Sequence, residues 1–148
     1  MRYTDSLSGQ SFDSPRLLVQ SYLSRFAERT NLGPLTLDED DFVELRRGSA
    51  EIGVHVFDPK AVMMIYSPIL SLQTLDTKKR LALYQKLLEM SFLSTGEASF
   101  AIQSSDEKVV VRSFRRIAGL DYTEFEGLLN NVGSVADRWD DELKKDFL

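Results

Sequence analysis

His55, the turn Ser94-Thr95-Gly96 and the acidic run Asp38-Glu39-Asp40-Asp41 are where this chain could do chemistry. His55 is its one histidine. A lone imidazole cannot build a multi-histidine metal site. It could serve a Ser-His-Asp arrangement, but the chain has no Gly-x-Ser-x-Gly elbow and nothing in the sequence sets a Ser and an Asp beside it. His55 reads instead as a mid-strand residue on the face opposite Ile52, Val54 and Val56. The turn lies within "FLSTGEASFAI", Phe92 to Ile102. A phosphate loop needs several glycines, or a Gly-Lys-Ser/Thr ending, and then a helix N-terminus. Here one Gly is followed by Glu97 and by a strand pattern, and Ser94 has no base placed beside it. The stretch reads as a helix C-cap and turn in which Gly96 adopts positive φ. "LDEDD" lacks the alternating ligand spacing and the Gly of a calcium loop. There is no Cys, so disulfides, thiolate metal sites and Cys nucleophiles are excluded. No catalytic, cofactor-binding or metal-binding residue is assigned, and the chain is expected not to be an enzyme.

The composition agrees. Apolar residues make up 43% and charged residues 28% of 148, the profile of one globular domain. A net charge of -5, with only short basic clusters, argues against a nucleic-acid partner. The polar start "MRYTDSLSGQSFDS" has no apolar run of a secretory signal, and no stretch reaches transmembrane length. The expectation is a cytoplasmic protein without a membrane partner.

The elements follow from periodicity. Residues 1–13 read as a flexible polar arm, and 14–148 as a single domain. Ser14-Pro15 starts a helix with Leu18, Val19, Tyr22, Leu23, Phe26 and Ala27 at helical spacing, ended by "NLGP" at Asn31–Pro34. Asp41–Arg47 and Ala50–Phe57 alternate as strands. Ala61–Ser67 is apolar on both faces, and the three form an antiparallel meander. Pro68–Asp76 reads as a connection. A second helix over about Thr77–Ser91 carries an apolar arc of roughly 200°, too wide for one sheet. A hairpin, Ala98–Gln103 and Val109–Phe114, precedes a last helix opened by the capping box Asp121-Tyr122-Thr123-Glu124. Gly127 and Gly133 interrupt that helix, so close packing or a bend is expected there. The order is α-β-β-β-α-β-β-α, an α+β layer in which helices pack mainly on one face of a twisted antiparallel sheet.

What remains is apolar surplus on the first and second helices and on the third strand. It suggests a well-filled core, self-association, or a groove for an extended partner.

Three stretches carry a family resemblance. "LSRFAERTNLGPLTLDEDDFVEL", "LYQKLLEMSFLSTGEASFAI" and "LDYTEFEGLLNNVGSVADRW" occur in order and span about Leu17 to Leu143. Together they resemble the class I type III secretion chaperones of the Tir chaperone, CesT-like, type. Glu97 stands where that family's Thr-Gly-Gly has its second Gly.

The resemblance implies a small, acidic, cytosolic homodimer of the same element order, with no enzymatic activity and no cofactor. Its implied partner is the N-terminal segment of a secreted effector, held soluble and export-competent along the surface, partly by strand addition. On that basis the client-binding apolar surface is expected at Leu18, Tyr22, Phe26, Phe42, Val54 and Val56. The dimer interface is expected at Leu83, Tyr84, Leu87, Leu88, Phe100 and Ile102. The competing expectation is a dimeric regulatory or adaptor protein of the same fold without a secreted client.

Overall fold

The structure is a computed structural model and describes residues 2–148. In chain order the elements are β1 (Tyr3–Thr4), β2 (Ser11–Phe12), α1 (Pro15–Thr30), β3 (Phe42–Arg47), β4 (Ala50–Phe57), β5 (Val62–Ser71), α2 (Thr77–Leu93), β6 (Ser99–Gln103), β7 (Lys108–Arg116) and α3 (Tyr122–Phe147). The main sheet has five antiparallel strands in the order β3-β4-β5-β7-β6. The meander is therefore as expected. The hairpin joins it through β7 and leaves β3 and β6 as the two edges.

The ends of the helices are set by local chemistry. The Ser14 hydroxyl accepts from the backbone N–H of Leu17 at 3.2 Å, and Pro15 fills the first helical position. Asn31, at φ 56°, ends α1 in the left-handed conformation, which Asn tolerates. Asp76 and Asp121 cap α2 and α3, accepting from Lys79 and Glu124 N–H groups at 2.8 Å each. Only half of the expected capping box forms. The Glu124 carboxylate turns away from its own helix start to accept from the Arg115 guanidinium at 2.8 and 2.9 Å. A partly buried guanidinium on β7 is a stronger partner than one more backbone N–H.

Three further points differ from the sequence reading. Residue 1 lies outside the described residues, but within the expected arm β1 and β2 pair as a short hairpin that rests on α1. Asp5 holds its turn, accepting from Leu7 N–H at 3.1 Å and the Ser8 hydroxyl at 2.8 Å. Strand β5 does not stop at Ser67 but runs to Ser71 across a bulge between Pro68 and Leu70. Pairing with β4 ends at Tyr66, so the missing Pro68 N–H breaks no ladder on that side. Finally, α3 is one helix of 26 residues, about 39 Å long, and the two glycines differ in use. A Cβ on Gly133 would come within 3.0 Å of Ile52 Cδ1, whereas one on Gly127 would meet nothing within 4 Å. Gly133 is close packing; Gly127 is open.

The pleat sorts the sheet into two faces. The inner face carries Val43, Leu45, Ile52, Val54, Val56, Met63, Ile65, Val109 and Val111, all buried. Helix α3 crosses β5, β4 and β7 on this side, and α1 packs on α3 and β4. Tyr22 of α1 ties the layer together: its hydroxyl donates to the Leu120 carbonyl at 2.8 Å, and its ring lies 5.7–5.8 Å from those of Phe125 and Tyr122. Helix α2 lies at the β6 end of the sheet and buries only Leu83, Leu87 and Met90.

Candidate functional site

The residues that could have done chemistry are committed to structure. The Thr95 side chain is buried, and its hydroxyl donates to the Ala98 carbonyl at 2.6 Å. Gly96 sits at φ 61°, as its turn requires, and Asn131 donates to the Thr95 carbonyl at 3.1 Å. Ser94 is the C-cap of α2. In the acidic turn, the Asp38 carboxylate accepts from the N–H groups of Asp40 and Phe42 at 2.8 and 3.0 Å. Asp41 pairs with Arg16 at 2.5 Å. Among the described residues no group of His, Asp and Glu could hold a metal ion, and no helix is long and apolar enough to cross a membrane.

Two uncovered apolar surfaces remain. The first lies between α2 and the edge strand β6. Helix α2 turns one stripe inward and leaves another outside: Leu81 is 70% exposed, Leu88 74% and Phe92 82%. Beside it a shallow groove is lined by Tyr84, Leu87, Leu88, Phe100, Ala101 and Ile102. Five of the six residues expected at a dimer interface therefore share one groove. The sixth, Leu83, is fully buried beneath it, and Leu87 is nearly so. The arc of roughly 200° is explained: half of it seats the helix and half is left over.

The second surface is the outer face of the sheet. The antiparallel register places Phe42, His55, Met64 and Phe114 side by side on four neighbouring strands. The rings on this face form a chain. Tyr66 lies 6.4 Å from Phe42, Phe42 6.1 Å from His55, His55 4.3 Å from Phe57, and Phe57 6.3 Å from Phe114. The Arg112 guanidinium covers the Phe114 ring at 5.6 Å. Phe114 is 54% exposed and the others are half-buried. Gly53 makes the arrangement possible, because a Cβ there would come within 2.9 Å of the Phe42 ring and 3.0 Å of the Tyr66 ring. The two rings lie down over its bare backbone.

The expected client-binding residues divide sharply. Phe42 belongs to this outer face. Leu18, Tyr22, Phe26, Val54 and Val56 do not: all five are buried in the core. Alternation tells that Val54 and Val56 share a face, but which face the helices cover is decided by packing. The sequence reading missed His55, Phe57, Met64, Tyr66 and Phe114 as a surface. The signal was present in the strand pattern, as apolar side chains at positions that should alternate with polar ones.

The sequence model of the Tir chaperone protein (CesT) family matches residues 21–140. Among solved structures, the chain is similar to one in the crystal structure of the ExsC–ExsE complex, with a TM-score of 0.70, 19% identity, and coverage of 86% of this chain and 95% of that one. It is also similar to one in the HopA1–SchA chaperone–effector complex, with a TM-score of 0.67, 9% identity, and coverage of 85% and 95%. A third likeness is to the Yersinia pestis type III secretion chaperone SycH in complex with a fragment of YscM2, with a TM-score of 0.58, 15% identity, and coverage of 80% and 97%. At these identities the likeness is one of fold. A comparison with curated proteins finds no match.

Proposed function

This chain belongs to the Tir chaperone protein (CesT) family, and on that premise we propose that it is a non-catalytic type III secretion chaperone. It binds the N-terminal region of a secreted effector in the cytoplasm and keeps it soluble and competent for export. The observation that carries this reading is the uncovered aromatic face. Soluble monomers seldom leave a contiguous apolar surface on a sheet, and one backed by a well-filled core is a binding surface. The HopA1–SchA structure, of the same fold, is a chaperone–effector complex. At Phe42 the edge of β3 is closed by Asp38, which bonds both its N–H and its C=O; the edge beyond it offers backbone groups to an extended part of the same client.

The groove between α2 and β6 takes a second copy of the chain. A two-fold axis brings the same surface onto itself, so the exposed Leu88 and Phe92 of one protomer would cover those of the other. The two surfaces share no residue, so a dimer through the groove keeps both aromatic faces free.

Co-expression with the products of adjacent genes, followed by affinity purification, tests the client reading. One product is expected to co-purify with the wild-type chain and to be lost from a Phe42→Ser/Phe114→Ser variant that still folds. Retention of the client by that variant would place the client surface elsewhere.

A further inference from the structure

The outer face is not only aromatic; it is electrically polarised across the strands. At the β3 end lie exposed Glu39, Asp40 and Glu44, none of them in an ion pair among the described residues. At the β7 end lie Arg112 and Arg116, likewise without an ion pair among the described residues. Asp41 is neutralised by Arg16 at 2.5 Å and Arg46 by Glu51 at 2.7 Å. Asp106 and Lys108, of opposite sign, lie beside Tyr66 at the β6–β7 turn end of the same face and leave the balance across the strands unchanged. The register makes the polarity regular. Glu44 pairs across to Gly53, Gly53 to Tyr66, and Tyr66 to Arg112, so one row runs from an acid to a base over an aromatic middle. Arg116 ends the row that starts at Phe57.

The geometry also limits the shape of the occupant. A chain crossing the face of a sheet finds no backbone partners, because the N–H and C=O groups below it are already paired. A helix already bonds its own backbone and needs nothing from the sheet below it, so it is the element best suited to cross this face. Four strands span about 14 Å from β3 to β7, the length of roughly ten helical residues. Resting on the reading of this face as the client surface, we infer that the client segment seated on it is an amphipathic helix with segregated charge. Its acidic end lies over Arg112 and Arg116, and its basic end lies over Glu39, Asp40 and Glu44. Complementary fields of this kind govern partner choice and association rate.

The test uses the full-length protein and two synthetic amphipathic helical peptides of one composition. One carries its Glu residues at one end and its Lys residues at the other; the second alternates them. The charge-segregated peptide is expected to bind roughly ten-fold tighter at low salt. The gap should close at about 1 M salt and disappear in Arg112→Glu/Arg116→Glu. A nitroxide on the acidic end should broaden amide resonances of β7 more strongly than those of β3. Equal affinity at low salt, or broadening confined to β3, would overturn the inference. The Phe42→Ser/Phe114→Ser variant separates this from failure of the face itself. If it loses both peptides while the wild type binds them equally, the face stands and its polarity falls. If neither peptide binds the wild type, or the variant binds both unchanged, the face reading falls and the inference with it.

Discussion

Three glycines on this chain make different demands, and each demand can be checked. Gly127 faces open space in mid-helix, so Gly127→Ala should stabilise the protein by about 1 kcal/mol through helix propensity alone. Gly133→Ala should lose that gain, because its new methyl would press on Ile52 Cδ1 at 3.0 Å and force the core to shift. Thermal denaturation of the two variants side by side measures the difference. Gly53→Ala should cost little stability, since the Phe42 and Tyr66 rings can tilt outward, but it should weaken peptide binding by roughening the face. Tyr22 makes a different prediction. Burial first, and the nearby Asp5 carboxylate second, push its hydroxyl above the ordinary tyrosine range. The unfolded chain then ionises at about pH 10 while the folded chain does not, so stability should fall as pH rises beyond that value. Urea denaturation at about pH 9 and pH 11 should show the drop, and Tyr22→Phe should flatten it. At neutral pH the same change should cost about 1 kcal/mol for the lost bond to the Leu120 carbonyl.

At the scale of elements, α2 carries the sharpest contrast. Leu87 and Leu88 are neighbours in sequence but point to different environments, one nearly buried and one 74% exposed. Leu87→Asp puts an unpaired charge into the protomer's own core and should unfold it. Leu88→Asp should leave the protomer folded, as judged by circular dichroism, and raise the dimer dissociation constant by about 100-fold or more. A Leu88→Asp variant that remained dimeric at micromolar concentration would remove α2 from the interface. The element boundaries show how far local signals reach. Ser14-Pro15, Asp121 and Gly96 acted where the sequence placed them, because a cap or a left-handed turn depends on atoms within four residues. The second half of the capping box failed because Glu124 found Arg115, a partner that only the β7–α3 packing supplies. Strand β5 outran its expected end for a similar reason. Whether Pro68 breaks a ladder depends on where the pairing of β5 with β4 ends.

At the scale of the whole molecule, the two apolar surfaces share no residue, and their occupants should be independent. Light scattering should give a mass near twice 16.8 kDa for the wild type and near 16.8 kDa for Leu88→Asp. Each should bind the same charge-segregated peptide with similar affinity per protomer. By itself the sequence determined the element types, the meander, the Ser14 and Asp121 caps and the family. These follow from composition, from periodicity and from atoms close along the chain. It also revealed an apolar surplus, and named five residues that the fold brings together in the groove between α2 and β6. Only the tertiary structure decided where that surplus goes. Leu18, Tyr22, Phe26, Val54 and Val56 are as apolar as Phe42 and Phe114, and a strand pattern treats its two faces alike. Which face is buried depends on where α1 and α3 settle, and that is a sum over contacts distant in sequence. Covering one face made those five residues core and left Phe42, His55, Met64 and Phe114 as the surface.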